Sequence, residues 1–133
     1  MKKKISFKEL NIPSKYGIPV RKIYLVFENN RSKVLEKLNE LDRNMRDLIY
    51  DLIARMAGNI NYRSPKIKRS LKGYSYGEIR PMPNRLFYFQ TCGRNLIFFD
   101  FAVKKKNAFK DSFYKELERK KRNYENEFRR TLQ

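Results

Sequence analysis

"SYGEIRPMPNRLFYFQTCGRNLIFFDFAVKKK", residues 75–106, decides the fold of this chain. It reads as a strand, a tight break, two further strands and a run of three lysines. In "NLIFFDFAV" both parities are mostly apolar, with Leu96, Phe98 and Ala102 against Ile97, Phe99, Phe101 and Val103. A strand apolar on both faces has to be covered on both, so this one is expected near the centre of a sheet. Asp100 is the exception to the pattern. Gly93 marks the hairpin between the last two strands.

Working outward, "VRKIYLVF" from Val20 to Phe27 is rich in β-branched and aromatic residues, which predicts a buried first strand ended by Asn29 and Asn30. Ser32 is placed to cap a short helix carrying Val34, Leu35, Leu38 and Leu41 on one side, and Asp42 to start another. In that second helix Met45, Leu48, Ile49, Leu52, Ile53 and Met56 recur at helical spacing, a stripe for packing on a sheet, and Gly58 is placed to end it. Residues 59–74 read as a polar connector. At the far end Phe109, Phe113, Leu117, Tyr124 and Phe128 line one face of a long, otherwise charged helix. Residues 1–19, with Pro13, Gly17 and Pro19, read as an irregular N-terminal arm, leaving residues 20–133 as the domain. The predicted order is β-α-α-β-β-β-α. That is an α+β fold, with helices packed on a small antiparallel or mixed sheet.

The 133 residues suit one domain with one core. Lys and Arg number 32 against 14 acids, a formal charge of +18, in a chain that is 41% hydrophobic and 14% aromatic. Such a chain is too apolar for a disordered basic tail. As a folded domain it repels itself and attracts polyanions, so nucleic acid, an anionic membrane or an acidic protein is the expected partner, with nucleic acid or the ribosome first among them. With one cysteine, no 18-residue apolar run and no signal-peptide core, it is expected to lack disulfides, to need no membrane and to be cytoplasmic.

The sequence contains no histidine, and its single cysteine is Cys92, so zinc sites and Ser-His or Cys-His nucleophiles lack their parts. The five glycines are scattered, which excludes a glycine-rich phosphate loop. Glu78 and Arg80 faintly resemble the E-x-K element of metal nucleases, but alternating residues of opposite charge on one strand face more often form an ion pair. No metal or other cofactor is expected. What remains is chemistry by cations. Cleaving RNA through its own 2′-hydroxyl needs alignment, stabilisation of a dianionic phosphorane and a proton for the leaving oxygen. Arg and Lys can supply the second; proton transfer falls to Lys, Tyr or Asp, and a lysine crowded by others can be brought toward a usable pKa, which points to Lys104 or Lys105. A solvated strand end has the same sequence pattern.

"NRSKVLEKLNELD" and "LDRNMRDLI" in the helices, "GEIRP" followed by "RLFYF" in the strands, and "VKKK" before the last helix, in that order, resemble the RelE/ParE toxin superfamily, most closely its HigB-like, phage-derived branch. The resemblance covers about residues 20 to 130. It implies a RelE-like fold and the toxin of a type II toxin–antitoxin system, a metal-independent, ribosome-dependent mRNA endoribonuclease held inactive by a co-expressed antitoxin that is acidic or carries a helix-turn-helix. By motif, Arg80 and Arg85 match the family's strand arginines, and Lys104 and Lys105 its Lys pair, so these four are the implied catalytic residues. Lys66, Lys68, Arg69, Lys72, Arg94 and Lys106 are the expected RNA contacts. Asp100 stands where this branch often has a histidine. The alternatives are a ParE-like protein that poisons DNA gyrase without catalysis, and a noncatalytic RNA-binding regulator of the same fold.

Overall fold

A computed structural model describes residues 3–12, 16–59, 62, 64, 66–105 and 109–132; Pro13 of the arm and Lys106 of the lysine run lie outside the described residues. The elements in chain order are β1 (Ile5–Glu9), β2 (Lys22–Glu28), α1 (Lys33–Glu40), α2 (Arg43–Gly58), β3 (Ile67–Lys68), β4 (Gly77–Ile79), β5 (Asn84–Thr91), β6 (Asn95–Val103) and α3 (Asp111–Thr131). The strands form one mixed six-stranded sheet in the order β1-β2-β6-β5-β4-β3. The β2–β6 pair is parallel and the other neighbours are antiparallel. The fold class is therefore α+β, as the sequence predicts.

β6 lies in the interior of the sheet, and its two parities enter two separate cores. Leu96, Phe98 and Phe101 pack with Leu38, Ile49 and Ile53 of α1 and α2. Ile97 and Phe99 pack with Leu117, Tyr124 and Phe128 of α3. One helix layer thus covers each face. The parity changes side between Phe98 and Phe101 because of a bulge: Tyr88 pairs with Phe98 and Phe87 with Asp100, so Phe99 is the extra residue on β6. A bulge re-aims side chains. Here it makes room for Asp100, 3% exposed, whose carboxylate accepts from Lys33 Nζ of α1 at 2.7 Å and Lys120 Nζ of α3 at 3.1 Å. The polar exception in the strand is the tie between both helices and the sheet.

Both caps expected from sequence form: Ser32 Oγ accepts from Leu35 N–H and Asp42 Oδ1 from Met45 N–H. In α3 the apolar stripe is interrupted at Lys121. This side chain stays on the buried face, paired with Glu125 at 2.9 Å and lying 5.5 Å from the Phe89 ring centroid. Among the described residues no helix is long and apolar enough to cross a membrane.

Two sequence expectations change, and a third holds for a different reason. The arm is not irregular throughout: residues 5–9 form β1, an edge strand on β2, and Phe7 meets Phe128 of α3 edge-on at 5.1 Å. Two apolar residues in alternation are too short a signal to read without the neighbouring strand. The connector is not purely polar, since it holds β3 and buries Tyr62 and Leu71. Gly58 does end α2, but the next residue, Asn59, is extended at φ −103°. The glycine is needed for close approach, because a Cβ at position 58 would stand 2.7 Å from the Tyr16 carbonyl oxygen.

Gly58→Ala is accordingly expected to destabilise the protein by about 1–3 kcal/mol through overpacking, although alanine is the better helix former. A urea midpoint unchanged or raised would show that Tyr16 is not fixed there. α3 supplies a pH test. Burial pushes the Glu118 carboxyl up, but hydrogen bonds from the Ser75 hydroxyl and backbone, then Arg122, outweigh it, so its pKa is lowered. The folded chain then binds this proton less tightly than the unfolded chain. The contribution is present above the ordinary Glu value of about 4.3 and is lost as pH falls through the folded value. Glu118→Gln should flatten the acid limb of a stability-versus-pH curve.

Candidate functional site

The site forms where β4 ends, β5 begins and β6 ends. β4 and β5 pair through Ile79 and Leu86, so Arg80 and Arg85 are the next residues in register, and Asn84 pairs with Val103 just before Lys104. Backbone bonds hold the three strand ends together: Arg80 N–H donates to Lys66 O at 2.6 Å, Asn84 N–H to Pro81 O at 2.8 Å and Lys104 N–H to Pro83 O at 2.9 Å. Alternation puts Arg85 on the face of Phe87 and Phe89, the face covered by α3.

The two arginines are in different states. Arg80 donates from Nε to Glu78 at 2.7 Å, which is the ion pair that strand alternation predicts. Glu78 is 5% exposed, so this carboxylate is committed to Arg80. Among the described residues no group of three or more acids, cysteines or histidines converges as metal ligands. Arg85 is also only 5% exposed, yet its guanidinium donates to the Asn84 carbonyl at 2.9 Å and to Met82 Sδ at 3.2 Å. No carboxylate of the described residues forms an ion pair with it. A buried cation held by one carbonyl and a thioether has donor capacity for an anion.

Lys104 is half-buried at this sheet end and Lys105 is exposed; Lys106 is outside the described residues. Lys66 and Lys68 lie exposed along β3, beside β4, and Arg69 and Lys72 are exposed further along the connector. Arg94 is not part of this constellation. It sits in the β5–β6 hairpin, at the opposite end of both strands from Arg85 and Lys104. Asp100 is bound by its two lysines in the interior and does not take part.

Tyr114, in the first turn of α3, is a residue that the sequence reading missed. Burial raises its pKa and Glu78 adds to this, while the charges of Arg80 and Arg85 pull it down; the net shift is upward. Its phenol therefore stands within the field of both arginines and keeps its proton at neutral pH. It belongs to a group of rings: Tyr74 stacks on it at 5.9 Å, and Phe113 packs on Phe87 at 5.8 Å. The arrangement offers two guanidinium groups, an ammonium and a phenol O–H at one sheet end. Chemically it can hold an oxyanion and give a proton. A comparison with protein-family models gives no match, and neither does a comparison with curated proteins.

A buried charge without a carboxylate partner carries a desolvation cost, and hydrophobic replacements at such positions are often stabilising. Arg85→Met, of similar length, should raise stability by about 1–3 kcal/mol. Urea unfolding with an unchanged slope is the measurement. A loss of stability would make Arg85 part of the scaffold.

Proposed function

We propose that this chain is the toxin of a type II toxin–antitoxin system, acting in the cytoplasm as a metal-independent endoribonuclease that cuts mRNA on the ribosome. The observation that carries this reading is the buried Arg85 guanidinium, without a carboxylate partner among the described residues, beside Arg80 and Tyr114. A RelE-like fold agrees with the order of one strand, two helices, three antiparallel strands and a helix, to which β1 and β3 are added as edges. The charge of +18 supports a polyanionic partner. An acidic or helix-turn-helix antitoxin would be the second partner.

In this reading the RNA 2′-hydroxyl attacks the adjacent phosphorus, forming the new O–P bond, and the bond to the 5′-oxygen breaks. Arg85 and Arg80 hold the phosphoryl oxygens as charge develops on them. Tyr114, kept protonated, gives its proton to the departing 5′-oxygen, and Lys104 at the same sheet end takes the proton of the 2′-hydroxyl. The products are a 2′,3′-cyclic phosphate and a 5′-hydroxyl.

Inducing the protein alone should arrest growth and leave cuts within translated mRNA, as read by RNA-end mapping. Broken chromosomes with intact messages would instead favour the gyrase-binding alternative. On programmed ribosomes, Arg85→Lys should lose about a hundredfold or more in single-turnover cleavage with binding nearly unchanged, because the planar fork acts chiefly in the transition state. Tyr114→Phe should lose rate in the same way. Full activity in Arg85→Lys would remove Arg85 from the chemistry.

A further inference from the structure

At the other end of β5 lies a cavity of about 310 Å³ bounded by the residue before β2, the connector and β5 itself. Arg21, Tyr62, Arg69, Tyr88 and Gln90 line it, and among the described residues no carboxylate does. The guanidinium carbons of Arg69 and Arg21 lie 4.4 and 4.8 Å from the centroid of the same Tyr62 ring. The Tyr62 and Tyr88 hydroxyls are 3.3 Å apart. Arg21 is anchored from Nη1 to the carbonyls of Met56, at 3.0 Å, and Asn59. Arg69 is exposed, and among the described residues no carboxylate forms an ion pair with it. Its place is set by Gly77, where a Cβ would run into the Lys68 and Arg69 carbonyls.

Two like charges on one ring repel each other. Burial lowers the pKa of Arg21, Tyr62 opposes this, and the charges of Arg69 and Arg94 lower it further. An anion in the cavity relieves that repulsion. Arginines stacked on aromatic rings keep their planar donor edges for phosphate oxygens.

The chain along β3 links the cavity to the sheet end described above. Lys66 accepts the Arg80 N–H through its carbonyl, Lys68 pairs with Glu78 across β3 and β4, and Arg69 follows Lys68. One edge of the sheet thus carries Arg80, Lys66, Lys68 and Arg69 in succession. Along β5 the step from Arg85 to the stretch Tyr88–Gln90 is about 10–17 Å at ordinary strand rise. That is beyond the reach of a single phosphate and within that of a few nucleotides.

We infer that this cavity is a second phosphate-binding subsite, taking a backbone phosphate of the single-stranded RNA whose scissile phosphate sits at Arg80 and Arg85, with the strand running along the β3 edge. The inference rests on the proposed RNA-binding reading of that sheet end. It gives Arg69 a defined role: it reads the length of strand on one side of the cut.

The test is the affinity of the intact chain for single-stranded RNAs of two, four, six and eight nucleotides at low salt, by fluorescence anisotropy. Affinity should rise about tenfold at the length that first spans both subsites, since the second contact is then intramolecular. Arg69→Ala should remove the rise, and Arg69→Lys should restore part of it. The slope of log affinity against log salt for the hexanucleotide should fall by about one in Arg69→Ala. A smooth length dependence, no binding at any length, or wild-type hexanucleotide affinity in Arg69→Ala overturns the inference. So does a glutamate-rich peptide that binds through Arg69 where RNA does not. Cleavage is judged separately: a length step without cuts in cellular mRNA keeps this subsite and rejects the nuclease, and cuts without a length step do the reverse.

Discussion

A strand that can face water on neither side is the constraint on which the rest of the molecule depends. With apolar residues at both parities, β6 is stable only if each face of the sheet has its own cover. The chain has two amphipathic helical units to meet this need. α1 and α2 follow β2 and cover one face, and α3 follows β6 and covers the other. Asp100 would break such an arrangement if it stood in a regular strand. The bulge beside it and the two lysines that reach it turn the break into a joint between the layers.

Charge is distributed unevenly over this frame. With 14 acids for 32 cations, most lysines and arginines have no acid available to them. Many acids are used along α3, where Glu116 pairs with Arg119, Glu118 with Arg122, Glu125 with Lys121 and Arg129, and Glu127 with Arg130. The exposed pairs among these, such as Glu116 with Arg119, stabilise the helix only slightly. Their effect elsewhere is larger. Among the described residues, Arg85 and Arg69 stay without carboxylate partners, one toward each end of β5.

Those ends differ in kind. At one, a buried arginine, a paired arginine and a phenol meet under the first turn of α3, a fixed and partly dry arrangement suited to stabilising charge as it develops. At the other, guanidinium groups flank a ring beside an open cavity, an arrangement suited to holding a phosphate. The short β3 edge with Lys66 and Lys68 joins them. A single polyanionic strand could engage both ends without any movement of the sheet.

The sequence by itself determined a good deal. The double apolar parity of residues 95–103 implies a covered strand, Ser32 and Asp42 announce helix starts, and Arg85 falls on the parity of Phe87 and Phe89. These are local properties, readable because strand and helix periods are short. β1 escaped, since two alternating apolar residues gain meaning only beside β2. Tyr114 escaped for the same kind of reason: nearly thirty residues separate it from Arg85, and it looks like one more aromatic on a helix face until α3 lies across the sheet. Arg21, Tyr62 and Arg69 come from separate segments, and nothing in their spacing foretells a shared cavity. Gly58 reads as a helix stop, but Tyr16 gives the reason for it. Tertiary structure alone decided which distant side chains share a desolvated space, because that depends on how the layers stack on β6 rather than on any pattern along the chain.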